Sequence, residues 1–146
     1  MHIVVKEFKE LLPLEIYQIF KARVDIFVVE QNCVYHEIDD YDPISYHVFL
    51  IDNNELLAYC RVLPPNTTFQ TPSIGRVIAL KRHQGYATKV VKVAIQTALE
   101  NYDADTITIE AQTYARSLYE NLGFKQTSEP FLEDGIEHIQ MQYHRI

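Results

Sequence analysis

The hydrophobic and polar positions change their spacing several times along the chain, and each change predicts an element. HIVVKEF (2–8) alternates, the period of a strand with one face turned inward. Pro13 then opens a helix, because the first turn leaves its backbone N–H groups unbonded and proline has none to lose. Ile16, Ile19, Phe20, Arg23 and Phe27 fall on one stripe of that helix, and Glu30 lies at its end. NCVYHEIDDYDP (32–43) has no period and several acids, so it reads as a long loop with room for a short helix. YHVFLID (46–52), an Asn53-Asn54 turn and ELLAYCRVL (55–63) make a hairpin. PPNTTFQTP (64–72) is a connector, and SIGRVIAL (73–80), apolar on both faces, predicts a central strand.

In the second half a helix runs from Gly85 to Tyr102 with Val91, Ala94, Ile95, Ala98 and Leu99 inward. DTITIEAQ (105–112) is a strand, and TYARSLYENLG (113–123) a short helix with Gly123 just past its end. FKQTSEPFL (124–132), a Glu133-Asp134-Gly135 turn and IEHIQMQYHRI (136–146) form a last hairpin. In that final strand Ile139, Met141 and Tyr143 share one face and leave His138 on the other with Ile136 and Gln140. The order predicts an α/β fold of the α+β kind, a central mixed sheet of about seven strands with helices on both faces. At 146 residues the chain (1–146) has length for one core, hence one domain.

Composition narrows the function. No apolar run approaches a membrane span, and MHIVVKEFKE is too charged for a signal peptide. Cys33 and Cys60 lie far apart without metal or redox spacing, and read as free thiols of a reducing cytoplasm. The six histidines form no HxH or HxxxH pair, so no metal is expected. A net charge of −7 argues against a nucleic-acid partner and would draw a cationic acceptor, although net charge says little about one pocket.

RHQGYATKVV (82–91) sets one of only four glycines between the central strand and a helix start. A loop feeding a helix N-terminus presents free N–H groups and the positive end of the dipole, a site for phosphate. Neither GxxxxGK with a following Ser or Thr nor GxGxxG after the first strand is present, which sets aside P-loop and Rossmann sites. What remains is R-x-x-G-x-A, a pattern that can also serve only close packing of the helix.

RHQGYA after a buried strand, followed by AQTYARSLYENLGF (111–124), resembles the GNAT family of acyl-CoA-dependent N-acetyltransferases. Arg82, Gly85 and Ala87 match the family's pyrophosphate signature, and Tyr119, Gly123 and Phe124 its Y-x-x-x-G-F segment. RVDIFVVEQNCVYHEIDDYD (23–42) and EDGIEHI (133–139) are similar to the ElaA-type subgroup. The resemblance implies a single GNAT-like domain whose sheet splays between the fourth and fifth strands. It implies acetyl-CoA as cosubstrate, with the pantetheine arm along Val77, Ile78 and Ala79. The pyrophosphate would lie over Arg82, His83, Gln84, Gly85, Tyr86 and Ala87, and Tyr119 would face the CoA sulfur as acid. It also implies an acceptor amine, on a small molecule or a protein, attacking directly in a ternary complex; a homodimer is left open.

Such a transfer needs a base, since an amine with a pKa of roughly 10.4 is neutral only to about one part in a thousand at pH 7. His138 suits that role because it titrates near neutrality. Glu30, directly or through water, is the rival, and Glu110 a weaker one. Arg23 and Arg76 interrupt apolar patterns, and buried guanidinium groups need partners. Either they pair with acids of the 37–42 loop, or they line the acceptor pocket and hold an anionic group of a substrate such as an amino acid. Two other functional classes stand beside the transferase: an acyl-CoA-binding regulatory module of the same fold, and a purely structural domain.

Overall fold

In β2 (Tyr46–Asp52) alternation sends Val48 and Leu50 to one side and Phe49 to the other, and all three are buried. The strand therefore needs cover on both faces. In the computed structural model, which describes residues 1–145, that cover is α1 (Pro13–Val24) on one side and α2 (Tyr86–Asn101) on the other. Ile19 and Ala22 of α1 pack with Phe49, Tyr59 and Ile78. Val91, Ala94 and Ala98 of α2 pack with Val48, Cys60, Val62 and Ile107. Each such aliphatic side chain contributes about 1.5–3 kcal/mol by leaving water.

β1 (His2–Glu7), β2, β3 (Glu55–Leu63) and β4 (Ser73–Ala79) form an antiparallel sheet in chain order. Asn53 and Asn54 join β2 to β3 with φ of 50° and 63°, the left-handed pair that a two-residue hairpin turn requires. The second sheet holds β5 (Thr106–Gln112), β8 (Ile136–His144) and β6 (Lys125–Gln126), with β7 (Phe131–Glu133) also paired to β8. β4 and β5 belong to separate sheets, and near their starts Thr108 N–H of β5 donates to Pro72 C=O, just before β4, at 3.1 Å. Beyond that point the sheet is split, as the resemblance implied.

Several details depart from the sequence reading. Among the described residues the strands number eight, because 124–132 is interrupted. Gln140 N–H bonds to the Ser128 hydroxyl (2.9 Å) instead of a backbone carbonyl, and Pro130 has no N–H to offer a ladder. The last hairpin turns on Asp134 and Gly135 alone (φ 50° and 77°), which leaves Glu133 inside β7, opposite Ile136. The first helix stops being α at Val24: Asp25–Glu30 widen into a π turn in which Gln31 N–H reaches Ile26 C=O. The central strand is not uniformly buried; Gly75, Arg76 and Val77 are half-open. The register there runs Tyr59 to Ile78 and Arg61 to Gly75, so Arg76 and Val77 both oppose Cys60 in a β-bulge, with Arg76 at φ 53°. Ile146, the end of the expected last strand, lies outside the described residues.

Candidate active site

Where β4 and β5 part, a cleft of about 420 Å³ opens, bordered by Gly75 to Val77 on one side and Glu110 to Gln112 on the other. At the end of β4, Leu80 N–H bonds to Leu57 C=O at 2.9 Å. Backbone groups alternate along a strand, so those of Ile78 also point to β3 and those of Ala79 point into the split. Val77 lines the cleft. Ile78 does not belong with them: its side chain is buried beneath α1 as well. The expected strand edge is therefore Val77 and Ala79 without Ile78.

Past Ala79 the segment 81–85 is exposed, with His83 and Gly85 at positive φ. A Cβ on Gly85 would meet nothing within 4 Å, so this glycine answers a backbone requirement (φ 74°) and keeps open space above it. The bond from Lys89 N–H to Gly85 C=O (3.3 Å) opens α2. The amides of Tyr86, Ala87 and Thr88 precede it and remain free for an anion. Arg82 and Gln84 lie on the exposed approach to them. Arg82 pairs with Glu30 of the π turn, at the surface. Glu30 is thus committed outside the cleft it would have to serve as a base.

Tyr119 comes from α3 (Arg116–Asn121), is 7% exposed and lines the cleft. Burial pushes its hydroxyl pKa up, so it holds its proton. The helix end explains its place. Phe124 N–H bonds to Tyr119 C=O (3.0 Å) and Gly123 N–H to Glu120 C=O (3.1 Å), the paired closure that needs glycine at the left-handed position. That closure brings the Phe124 ring edge-on to Tyr119 at 5.8 Å between centroids.

One wall of the cleft is built on arginines. Arg23 is wholly buried and bonds Glu37 (Nε–Oε1 2.5 Å), Asp42 (2.6 and 3.1 Å) and Glu37 C=O (3.0 Å). Arg61 forks onto Asp39 (2.7 and 2.8 Å) and touches Asp42 (3.0 Å). Arg76 lies against Glu37 and Asp39, with Tyr35 5.4 Å beneath its guanidinium. Burial raises the Asp42 carboxyl, but hydrogen bonding and charge from Arg23 and Arg61 outweigh it and leave the pKa below 3.8. Arg23 therefore cannot be a substrate ligand, since no acceptor reaches it. Arg76 borders the cleft, but its charge is already answered by the acidic loop. Buried His47 braces the same network from behind, donating from Nε2 to Asp42 C=O (3.0 Å) and accepting at Nδ1 from Tyr59 (2.7 Å).

The opposite wall carries carboxylates. Glu110 and Gln112 of β5 and His138 of β8 share one face, with Gln112 directly across from His138. Burial, and then the charge of Glu133, push the Glu110 pKa up from 4.5 to about 7. His138 Nδ1 sits 2.7 Å from Ile136 C=O, which can only accept, so Nδ1 carries the proton. Nε2 is left as the site of proton exchange, 3.7 Å from Glu133. Gln31, just past the π turn, exchanges amide bonds with Gln112 (3.1 and 3.2 Å) and ties the N-terminal loop to β5. Arg61, Glu133 and this glutamine pair were missed in the sequence. Arg61 carried a signal, a charge inside the apolar run ELLAYCRVL, whereas Glu133 and Gln31 carried none.

A family model described as an acetyltransferase (GNAT) domain matches residues 18–145. The chain belongs to the GNAT family. Its relatives include a UPF0039 protein of Schizosaccharomyces pombe, 38% identical over 97% of this chain and 96% of the relative. The crystal structure of Escherichia coli ElaA superposes with a TM-score of 0.90 at 28% identity, covering 98% of this chain and 99% of that one. An acyl-CoA N-acyltransferase from Pseudomonas aeruginosa gives 0.89 at 30%, with 98% and 99% covered. The ElaA-type resemblance thus holds, and the GNAT fold is that of acyl-CoA-dependent acyltransferases. Among the described residues no group of three or more His, Cys, Asp or Glu is arranged to hold a metal, and no helix is long and apolar enough to cross a membrane.

Proposed function

We propose that the chain is an acetyl-CoA-dependent N-acetyltransferase that acetylates a primary amine by direct attack in a ternary complex. The observation that carries this reading is the bulged, half-open edge of β4, which faces a cleft holding Tyr119 and His138. An extended amide chain such as pantetheine can bond to an open strand edge, and its pyrophosphate then meets the free amides before α2. His138 Nε2 takes one proton from the ammonium, and Glu133 stabilises the ring once it is charged. The nitrogen lone pair forms the C–N bond at the thioester carbonyl, whose oxygen is met by backbone N–H at the bulge. The C–S bond breaks with its electron pair on sulfur, Tyr119 protonates the thiolate, and the second amine proton restores Tyr119. The products are the amide, the thiol and the proton on His138. Cys33 and Cys60, both buried and unpaired, fit a reducing cytoplasm.

The test joins two measurements on the intact chain. Isothermal titration is expected to show acetyl-CoA binding, and a thiol-release assay across an amine panel is expected to show turnover. Binding without turnover would make the chain an acyl-CoA-responsive module; no binding would remove the acyl-CoA reading altogether.

A further inference from the structure

The two walls of the cleft handle charge in opposite ways. On one wall Arg23, Arg61 and Arg76 meet Glu37, Asp39 and Asp42, three positive charges against three negative, in direct contact. An arriving carboxylate would meet guanidinium groups that already face seated carboxylates, two of which are almost fully buried. On the other wall Glu110, Glu133 and Asp134 border the cleft with His138 among them, and among the described residues no Lys or Arg answers them there. The space between the walls is partly aromatic, lined by Phe27, Tyr35, Tyr41, Phe69 and Tyr114.

From this asymmetry we propose that the acceptor is a cationic primary amine on an uncharged, partly apolar body, its ammonium held by Glu110 and Glu133 beside His138, with no anionic group next to the amine. This rests on the transferase reading above and specifies its acceptor. Two like charges at close quarters hold their positions poorly unless a proton or a cation lies between them. The raised pKa of Glu110 is the proton's version of that relief. An ammonium replaces the shared proton and then stands beside Nε2 of His138, where its own proton is removed before attack. An α-carboxylate on the same carbon would face Glu110 and Glu133 on one side and the occupied arginines on the other.

The test uses matched amines that differ only in that carboxylate, tyramine against tyrosine and phenethylamine against phenylalanine, at saturating acetyl-CoA. The amines without carboxylate are expected to be favoured in kcat/KM by about 10²-fold or more, the scale on which juxtaposed like charges suppress a wrong partner. Glu110→Gln and, separately, Glu133→Gln keep the shape and remove half the charge. Each is expected to lower kcat/KM for the preferred amine about tenfold or more with acetyl-CoA affinity unchanged. Equal or better use of the amino acids overturns the proposal. So does wild-type kcat/KM in both variants, or turnover of no panel amine while acetyl-CoA binds. Failure to bind acetyl-CoA strikes instead at the transferase reading and takes this inference with it.

Discussion

The arginine wall and the carboxylate wall of one cleft show two fates for a cleft-lining acid. Asp39 and Asp42 have guanidinium partners within 3.3 Å, and their pKa values stay below 3.8 despite burial. Glu110 faces Glu133 instead and is driven up to about 7. The first arrangement fixes a loop; the second leaves a proton that can be exchanged near neutral pH. Their linkage to folding has opposite sign. The aspartates contribute stability that is present above 3.8 and lost as the pH falls below it. Glu110 contributes stability that is present below 4.5 and lost as the pH rises toward about 7.

The sharpest way to break this contrast is Arg23→Met, which keeps much of the apolar stem and removes a charge two buried carboxylates depend on. It is expected to cost about 3–5 kcal/mol in denaturant unfolding, because those carboxylates are left uncompensated. A loss below 1 kcal/mol would mean the wall is not held by its ion pairs. Arg76→Met, nearer solvent, is expected to cost clearly less in the same assay.

Next in size is Tyr119→Phe, which touches neither wall's charges. Turnover is expected to fall about 10²-fold with acetyl-CoA affinity little changed. Wild-type turnover would leave Tyr119 as a packing residue against Phe124. Gly85→Glu places a carboxylate in the open space before α2 and is expected to weaken acetyl-CoA binding by about 2 kcal/mol, the scale of one lost charged hydrogen bond. Unchanged affinity in a folded variant would move the pyrophosphate elsewhere. The smallest effect sharpens the pH contrast. The difference in Tm between Glu110→Gln and wild type is expected to grow in the variant's favour from pH 4.5 to about 7 and to be flat above that. A flat difference throughout would show that Glu110 titrates like an unperturbed glutamate.

Period and turn chemistry made the fold legible. Alternation in YHVFLID, two asparagines at a hairpin and a glycine past LYEN each correspond to a local requirement that the structure meets. Arg23 and Arg76 were legible as anomalies, but which acids answered them was not, since those acids lie 14 to 19 residues from Arg23 and 37 to 39 from Arg76. Glu133 was hidden by a boundary: placed in a turn it faces solvent, whereas as the last residue of β7 it is aimed beside His138. The bulge at Arg76 was invisible because a one-residue mismatch between strands is a property of the pair and not of either sequence.

The π turn at 25–30 has a consequence for insertions and deletions. A π turn is an α-helix carrying one residue too many. Deleting one residue between Asp25 and Glu30 would let the backbone relax into an ordinary helix, leaving Ile19 and Ala22 undisturbed upstream. Everything downstream would rotate by about 100°, the angle of one helical residue. Gln31 would swing away from Gln112, and Cys33 from the Asp134 carbonyl it touches at 3.4 Å. Glu37 and Asp42, which answer the buried Arg23, lie beyond the turn as well, so length variation at this point strikes the mouth of the cleft and the ion pairs of its arginine wall together.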